Sequence, residues 1–277
     1  MNTAGLQAVV ASDAQGRGAS SLCRPEFWEE ALRLLTEASR VLIVTGFYIR
    51  RAGAPETDGP PGAVILGRAL AGAGKRVVLL TDRRNYECLR ACSRSVGGPP
   101  VARVDDPWKI SMWMDLLIFI ERPGRAADGR YYNMKGEDIG DVVIPLDDLA
   151  EPAEGRGVPV LSIGDGGNEA GMGALYDSLL QILPGYARCI SRVPSRVCLP
   201  VDVSNWGGYA LAALLSSHYR RWLGACENEE ATMLRALLDA GAVDGISGVA
   251  DMSVDGISLV DLDRISLAIR NWYLGSF

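Results

Sequence analysis

Residues 41–82 read VLIVTGFYIRRAGAPETDGPPGAVILGRALAGAGKRVVLLTD, and this stretch decides the fold. VLIVT (41–45) is an unbroken apolar run rich in β-branched residues, the pattern of a strand covered on both faces. GAVILGRALAGAG (62–74) predicts a helix that stops at glycine, and RVVLLTD (76–82) predicts a second buried strand. Strand, helix and strand in this order make a βαβ unit, whose two strands run parallel.

The rhythm extends both ways. Upstream, PEFWEEALRLLTEA (25–38) has apolar residues at helical spacing and a proline where a first turn accepts one. Downstream come a helix over 86–95, a short strand near Val101, and the strands LLIFIE (116–121), PVLSIGD (159–165) and RVCLPVDV (196–203), with a helix over 172–183 between the last two. From Asn205 the chain reads as mainly helical, through 229–240 and 259–273. Buried strands alternating with amphipathic helices predict an α/β fold: a mostly parallel sheet with helices on both faces, a Rossmann-like three-layer arrangement with a helical C-terminal segment. A single domain over 1–277 is expected, with residues 1–20 as a flexible extension.

Composition narrows the function. The 277 residues are 48% hydrophobic and 22% charged, ordinary for a globular chain with a large core. The net charge of −6 comes from 34 acidic and 28 basic residues with no basic stripe, which argues against nucleic acid. Apolar runs such as Leu116 to Ile120 are far shorter than the ~20 residues of a membrane span. The opening MNTAGLQAVVASDAQ lacks the basic-then-apolar order of a signal peptide, so a cytoplasmic location is expected. The six cysteines then read as reduced thiols, and the close pair Cys88 and Cys92 has no second pair or histidine nearby to complete a zinc site. His218 is the only histidine and falls in a helical stretch, so triad or His-rich metal chemistry has little to work with.

Ligands of open parallel sheets sit beyond the carboxyl ends of the strands, and four loops there are unusually polar. The first, GFYIRRAGAPETDGPPGA, carries Gly46, Glu56, Thr57 and Asp58. Asp58 suits either a helix cap or a partner for a substrate ammonium. Its glycines do not have the G-x-G-x-x-G spacing, so NAD is not expected, and neither is pyridoxal phosphate. The second, ERPGRAADGRYYNMKGEDIGD, holds Glu121, Arg122, Arg125, Asp128, Tyr131, Tyr132 and Asn133, where an arginine fork suits a carboxylate ligand.

The third, SIGDGGNEAGMG, combines Asp165 at a strand end with Gly166 and Gly167, and a following helix would aim its free N–H groups into the loop. Asp165, Asn168 and Glu169 are hard oxygen donors suited to Mg²⁺ or Mn²⁺, while Asn168 and Glu169 also suit helix caps. The segment is similar to the metal loop of haloacid-dehalogenase-like phosphatases, yet VTGFY and LTDRR at the first two strands lack that family's nucleophilic aspartate. The fourth loop, DVSNWGGYAL, places Asn205 and Trp206 at a strand-to-helix junction beside Gly207 and Gly208.

Taken in order, VTGF, ETDGPPGA, ERPGRAADGRYYNMKG, GDGGNEAGMG and SNWGGYAL resemble the D-glutamate cyclase family from about Pro25 to the C-terminus. The resemblance implies a cyclase-like domain standing alone and a lyase reaction interconverting D-glutamate with 5-oxo-D-proline and water. Closing that ring needs a fixed α-carboxylate, a γ-carboxyl relieved of its charge by a metal ion or a protonated acid, and a base for the ammonium. On chemical grounds Asp58, Glu121, Asp165 and Glu169 are the expected catalytic set. Arg122 or Arg125, with N–H groups around Gly167, are expected at the α-carboxylate. A non-catalytic amino-acid binding module and a metal-dependent hydrolase or lyase on another small acid are the alternatives. The apolar NWYLGSF at 271–277 is a candidate contact for a homo-oligomer.

Overall fold

The computed structural model describes residues 2–103, 110 and 112–276. Its centre is a six-stranded parallel sheet formed by β1 (Arg40–Thr45), β4 (Arg76–Thr81), β5 (Val101–Arg103), β6 (Leu116–Ile120), β7 (Val160–Gly164) and β8 (Val197–Pro200). Two-residue strands β2 (Tyr48–Ile49) and β3 (Ala54–Pro55) form a small hairpin inside the loop after β1. The sheet order is β5-β4-β1-β6-β7-β8, so the chain builds outward from β1 in one direction and then returns to build outward in the other. β1 therefore pairs with both β4 and β6, and the loops leaving β1 and β6 diverge to open a crevice.

Strand alternation sorts the core into two layers. Val41 and Ile43 face a large cluster with Trp28, Leu35, Ile65, Leu66 and Leu214, whereas Leu42 and Val44 face a smaller one with Phe119, Leu146 and Leu149. The large cluster holds α2 (Pro25–Glu37), α3 (Pro60–Gly72), α4 (Tyr86–Ser95) and α7 (Ser204–Tyr219). On the opposite face the short α5 (Ala150–Gly155) and adjoining loops cover the sheet. After α7 the chain adds α8 (Glu229–Asp239), a hairpin of β9 (Ser253–Val254) and β10 (Ile257–Ser258), and α9 (Leu259–Leu274).

Two expectations need correction. The expected loose extension over 1–20 contains a packed helix: α1 (Thr3–Val10) buries Leu6 and Val10 completely in the main core. The helix expected over 172–183 is displaced, appearing as a 3-10 turn at Gly173–Leu175 and then α6 (Tyr176–Ile182). The N–H groups of Gly171 and Gly173 both bond the Val193 carbonyl at 3.0 Å, so this stretch is tied to a neighbouring segment instead of coiling. At the C-terminus Trp272 turns inward, its indole N–H bonding the Asn2 carbonyl at 2.8 Å, while Leu274 is exposed.

Candidate functional site

A cavity of about 460 Å³ lies at the crevice, lined among others by Glu56, Glu121, Asn133, Asp165, Arg17 and Asp255. Around its floor Asp58, from the loop before α3, and Glu121 and Asp165, from the ends of β6 and β7, each place a carboxylate oxygen within 4.8 Å of the others. All three are buried, although Asp58 itself sits behind the cavity wall.

Asp58 is fixed by an exchange of helix caps. It stands just before α3 but accepts from the N–H groups of Ser204 (3.0 Å) and Asn205 (2.8 Å), at the start of α7. Asn205 reciprocates: its Oδ1 accepts from Gly59 and Gly62 at the start of α3, both at 2.9 Å. Each helix start is thus capped by a side chain at the start of the other. The crossing demands glycine, since a Cβ on Gly208 would lie 2.4 Å from the Gly62 carbonyl oxygen.

Glu121 leaves β6 in the left-handed region, with φ of 45°, a costly conformation for a non-glycine residue. It is held there by Gly46, whose N–H bonds the Glu121 carbonyl at 3.2 Å, and by Ser204, whose hydroxyl donates to Oε2 at 2.6 Å. This turn directs the carboxyl into the crevice. Strain retained at a strand end within a cavity is a recurrent mark of function.

Asp165 follows β7, and its Oδ2 lies 2.7 Å from Arg17 Nη1, a close ion pair though not aligned as a hydrogen bond. The other Arg17 nitrogen, Nη2, is 3.1 Å from Asp255, which the β9–β10 hairpin presents from an Asp-Gly turn with φ of 54° and 75°. Glu56 lines the same cavity with Oε1 buried and unpartnered.

These acids resist ionisation. Burial, then the charge of Asp255, pushes Asp58 up to about 8 against its three backbone N–H donors. Burial followed by neighbouring carboxylates holds Glu121 and Glu56 well above the usual range. Asp165 is also raised, chiefly by burial, although Arg17 opposes the shift. Burial works against the Arg17 charge, but the surrounding carboxylates, Asp165 first, more than compensate and keep it a cation.

The structure places the other expected residues unevenly. Asn133, Gly166, Asn168 and Glu169 line the cavity with the acids. Glu169, however, folds back so that its carboxylate accepts from the N–H groups of Asp165 (3.2 Å), Gly166 (2.8 Å) and Gly167 (2.7 Å). The loop thus fills its own anion site, with no helix starting there, and Gly167 has no N–H left for a ligand. Of the expected metal trio, Asn168 donates its amide to the Tyr132 carbonyl at 2.9 Å and Glu169 is tied to its own loop, whereas Asp165 shares a close carboxylate group with Asp58 and Glu121 that could hold an ion.

Both expected arginine clamps are committed elsewhere. Arg122 is buried, with Nη1 2.5 Å from Asp82 and 2.9 Å from the Gly46 carbonyl, so it braces the crevice from beneath. Arg125 is paired with Asp147 and Asp148 outside the cavity. Trp206 packs into the main core, Thr57 donates to the Ser253 carbonyl at 2.9 Å, and the Tyr132 hydroxyl is bonded to Asp128 at 2.5 Å. None of the three lines the cavity, nor does Gly46.

Arg17 and Asp255 were missed. The Asp-Gly pair in SVDGIS was a legible hairpin signal, but nothing near Arg17 distinguishes it from a surface arginine. The cysteines are free, with Cys88 and Cys92 buried, and His218 is exposed and outside the cavity. Among the described residues no helix is long and apolar enough to cross a membrane.

The chain is a Rossmann-like α/β protein with a small acidic cavity at its topological switch, the position where sheets of this class carry their ligands. Residues 6–266 match the family described as D-glutamate cyclase-like, C-terminal. The human protein D-glutamate cyclase, mitochondrial, is 31% identical over 309 aligned residues, covering 91% of this chain and 48% of the relative. The chain belongs to the D-glutamate cyclase-like family and is homologous to an enzyme. It spans about half the length of that relative, whose name is mitochondrial in contrast to the cytoplasmic location expected from sequence.

Proposed function

We propose that this chain interconverts D-glutamate with 5-oxo-D-proline and water. The observation that carries the reading is the convergence of three buried carboxyls, with two of them and a guanidinium lining a cavity of small-metabolite size. Family membership and the relative's name support the choice of substrate.

Ring closure forms a bond from the α-nitrogen to the carbon of the γ-carboxyl group and breaks one C–O bond of that same group. Two protons leave the ammonium and two arrive on the departing oxygen as water, so the protein gains and loses none overall. A cluster of acids sharing protons suits such a relay, because each carboxyl that gives a proton up has a neighbour favouring its return. In this reading Glu121 and Asp165, which reach the cavity, exchange protons with substrate. Asp58 sets their balance from behind, and Glu169 holds the loop. Asp58, Glu121 and Asp165 are also hard donors fit for Mg²⁺ or Mn²⁺, and such an ion would supply a Lewis acid for the γ-carboxyl.

The test is to incubate the protein with each compound, with and without Mn²⁺, and follow the other by chiral chromatography. Appearance of the partner compound from both directions supports the proposal. Binding without conversion under both conditions favours a non-catalytic module.

A further inference from the structure

The site contains a contradiction that the proposed reaction must resolve. Its substrate and product both carry an α-carboxylate, yet carboxyl groups dominate the inner cavity. That carboxylate is the one anionic group common to both compounds, so a site acting in either direction needs a cation for it.

Among the described residues, four basic ones line the cavity: Arg17, Arg50, Arg51 and Lys135. The Arg50 guanidinium reaches both oxygens of Asp141, at 2.9 and 3.1 Å. Arg51 bonds the carbonyl of Ile246, and Lys135 is exposed at the rim. Of these four, only Arg17 contacts the acids, through Asp165 and Asp255. Those two contacts engage one nitrogen each, and a guanidinium has five N–H donors, so most of its donor capacity is left for a ligand.

The placement of Arg17 is built, not incidental. Asp202, just beyond β8, accepts from Ser12 N (3.0 Å), Ser12 Oγ (3.1 Å) and Asp13 N (2.9 Å). Asp13, with φ of 58°, in turn accepts from Gly18 N at 2.7 Å. These bonds close residues 12–18 into a loop that carries Arg17 beside its closing residue, with the guanidinium against Asp165. A solvated arginine needs no such scaffold.

We propose that Arg17 is the substrate-binding residue for the α-carboxylate, delivered by the N-terminal segment and oriented by Asp165 and Asp255. It takes the role that sequence suggested for Arg122 or Arg125. The assignment rests on the reaction proposed above.

The experiment compares wild type with Arg17→Gln and Arg17→Lys, measuring by calorimetry the affinity for 5-oxo-D-proline and for its carboxamide, which lacks the anion. Wild type should prefer the acid by about 10- to 100-fold, the range of a charge-assisted hydrogen bond. Arg17→Gln should lose that preference while binding the amide as wild type does, and Arg17→Lys should recover part of it. A merely structural role would weaken both ligands together. An undiminished preference for the acid in folded Arg17→Gln overturns the assignment, and Arg17→Lys supplies the same comparison if the glutamine variant fails to fold. Wild type that binds neither compound overturns the D-glutamate reading itself, a result distinct from failure at Arg17.

Discussion

Replacing Asn205 with alanine isolates the cap exchange that fixes Asp58. The side chain is fully buried, and its loss removes the acceptor for Gly59 and Gly62 and the donor reaching the Thr57 carbonyl at 3.2 Å. Gly59 keeps Asp58 Oδ1 as a partner at 2.9 Å, so its share of the loss is small. The Gly62 N–H, in the first turn of α3, loses its cap acceptor. Losing the cap costs about 1–2 kcal/mol and the Thr57 contact about 1 kcal/mol, so a total of roughly 2–3 kcal/mol is expected. In a chain of this size that corresponds to a fall of about 4–12 °C in melting temperature. Differential scanning calorimetry at one pH reads it directly. Asn205→Asp separates the causes, since it keeps the acceptor but adds a carboxylate beside Asp58, and its deficit should shrink on acidification. An Asn205→Ala melting temperature within 1 °C of wild type would refute the reasoning.

Two further outcomes follow from the packing and the buried acids. Gly208→Ala places a Cβ 2.4 Å from the Gly62 carbonyl oxygen and should cost about 1–3 kcal/mol by chemical denaturation, whereas Gly185→Ala, with open space around it, should be near neutral. Glu56, Asp58, Glu121 and Asp165 hold protons in the folded state at a pH where the unfolded chain has released them. The folded state therefore binds more protons, and their contribution to stability, complete below about pH 4, drains away as pH climbs towards and through about 8. Melting curves from pH 5 to 8 should fall steadily, and a rise across that interval would contradict the burial of uncharged acids.

The framework was legible because its signals are local. The runs at Val41, Arg76, Leu116 and Val160 are buried strands announced by their unbroken apolar character, and the helix over 86–95 was read to its ends. The site was legible only in part, because capping rules look to sequence neighbours. Asp58 precedes one helix and caps another, a partnership across 146 positions to Ser204 that no window reveals. The GDGGNE loop carried the glycines of an anion site, but nothing in its spacing showed that Glu169 would be the anion. Arg122 looked free to bind ligand because its buried partner, Asp82, lies 40 positions away after a different strand. Arg17 was invisible for a related reason: the bonds from Ser12 and Asp13 to Asp202 span nearly the whole chain.

The account depends on Asp165 working chemically and not as a support. Its side chain accepts no hydrogen bond from its own loop, and its nearest partner is Arg17, so Asp165→Asn removes the exchangeable proton with little change in packing. Turnover of 5-oxo-D-proline by this variant, measured beside its melting temperature, is the direct test. The prediction is complete loss of conversion with a melting temperature close to wild type, and conversion at the wild-type rate would contradict it.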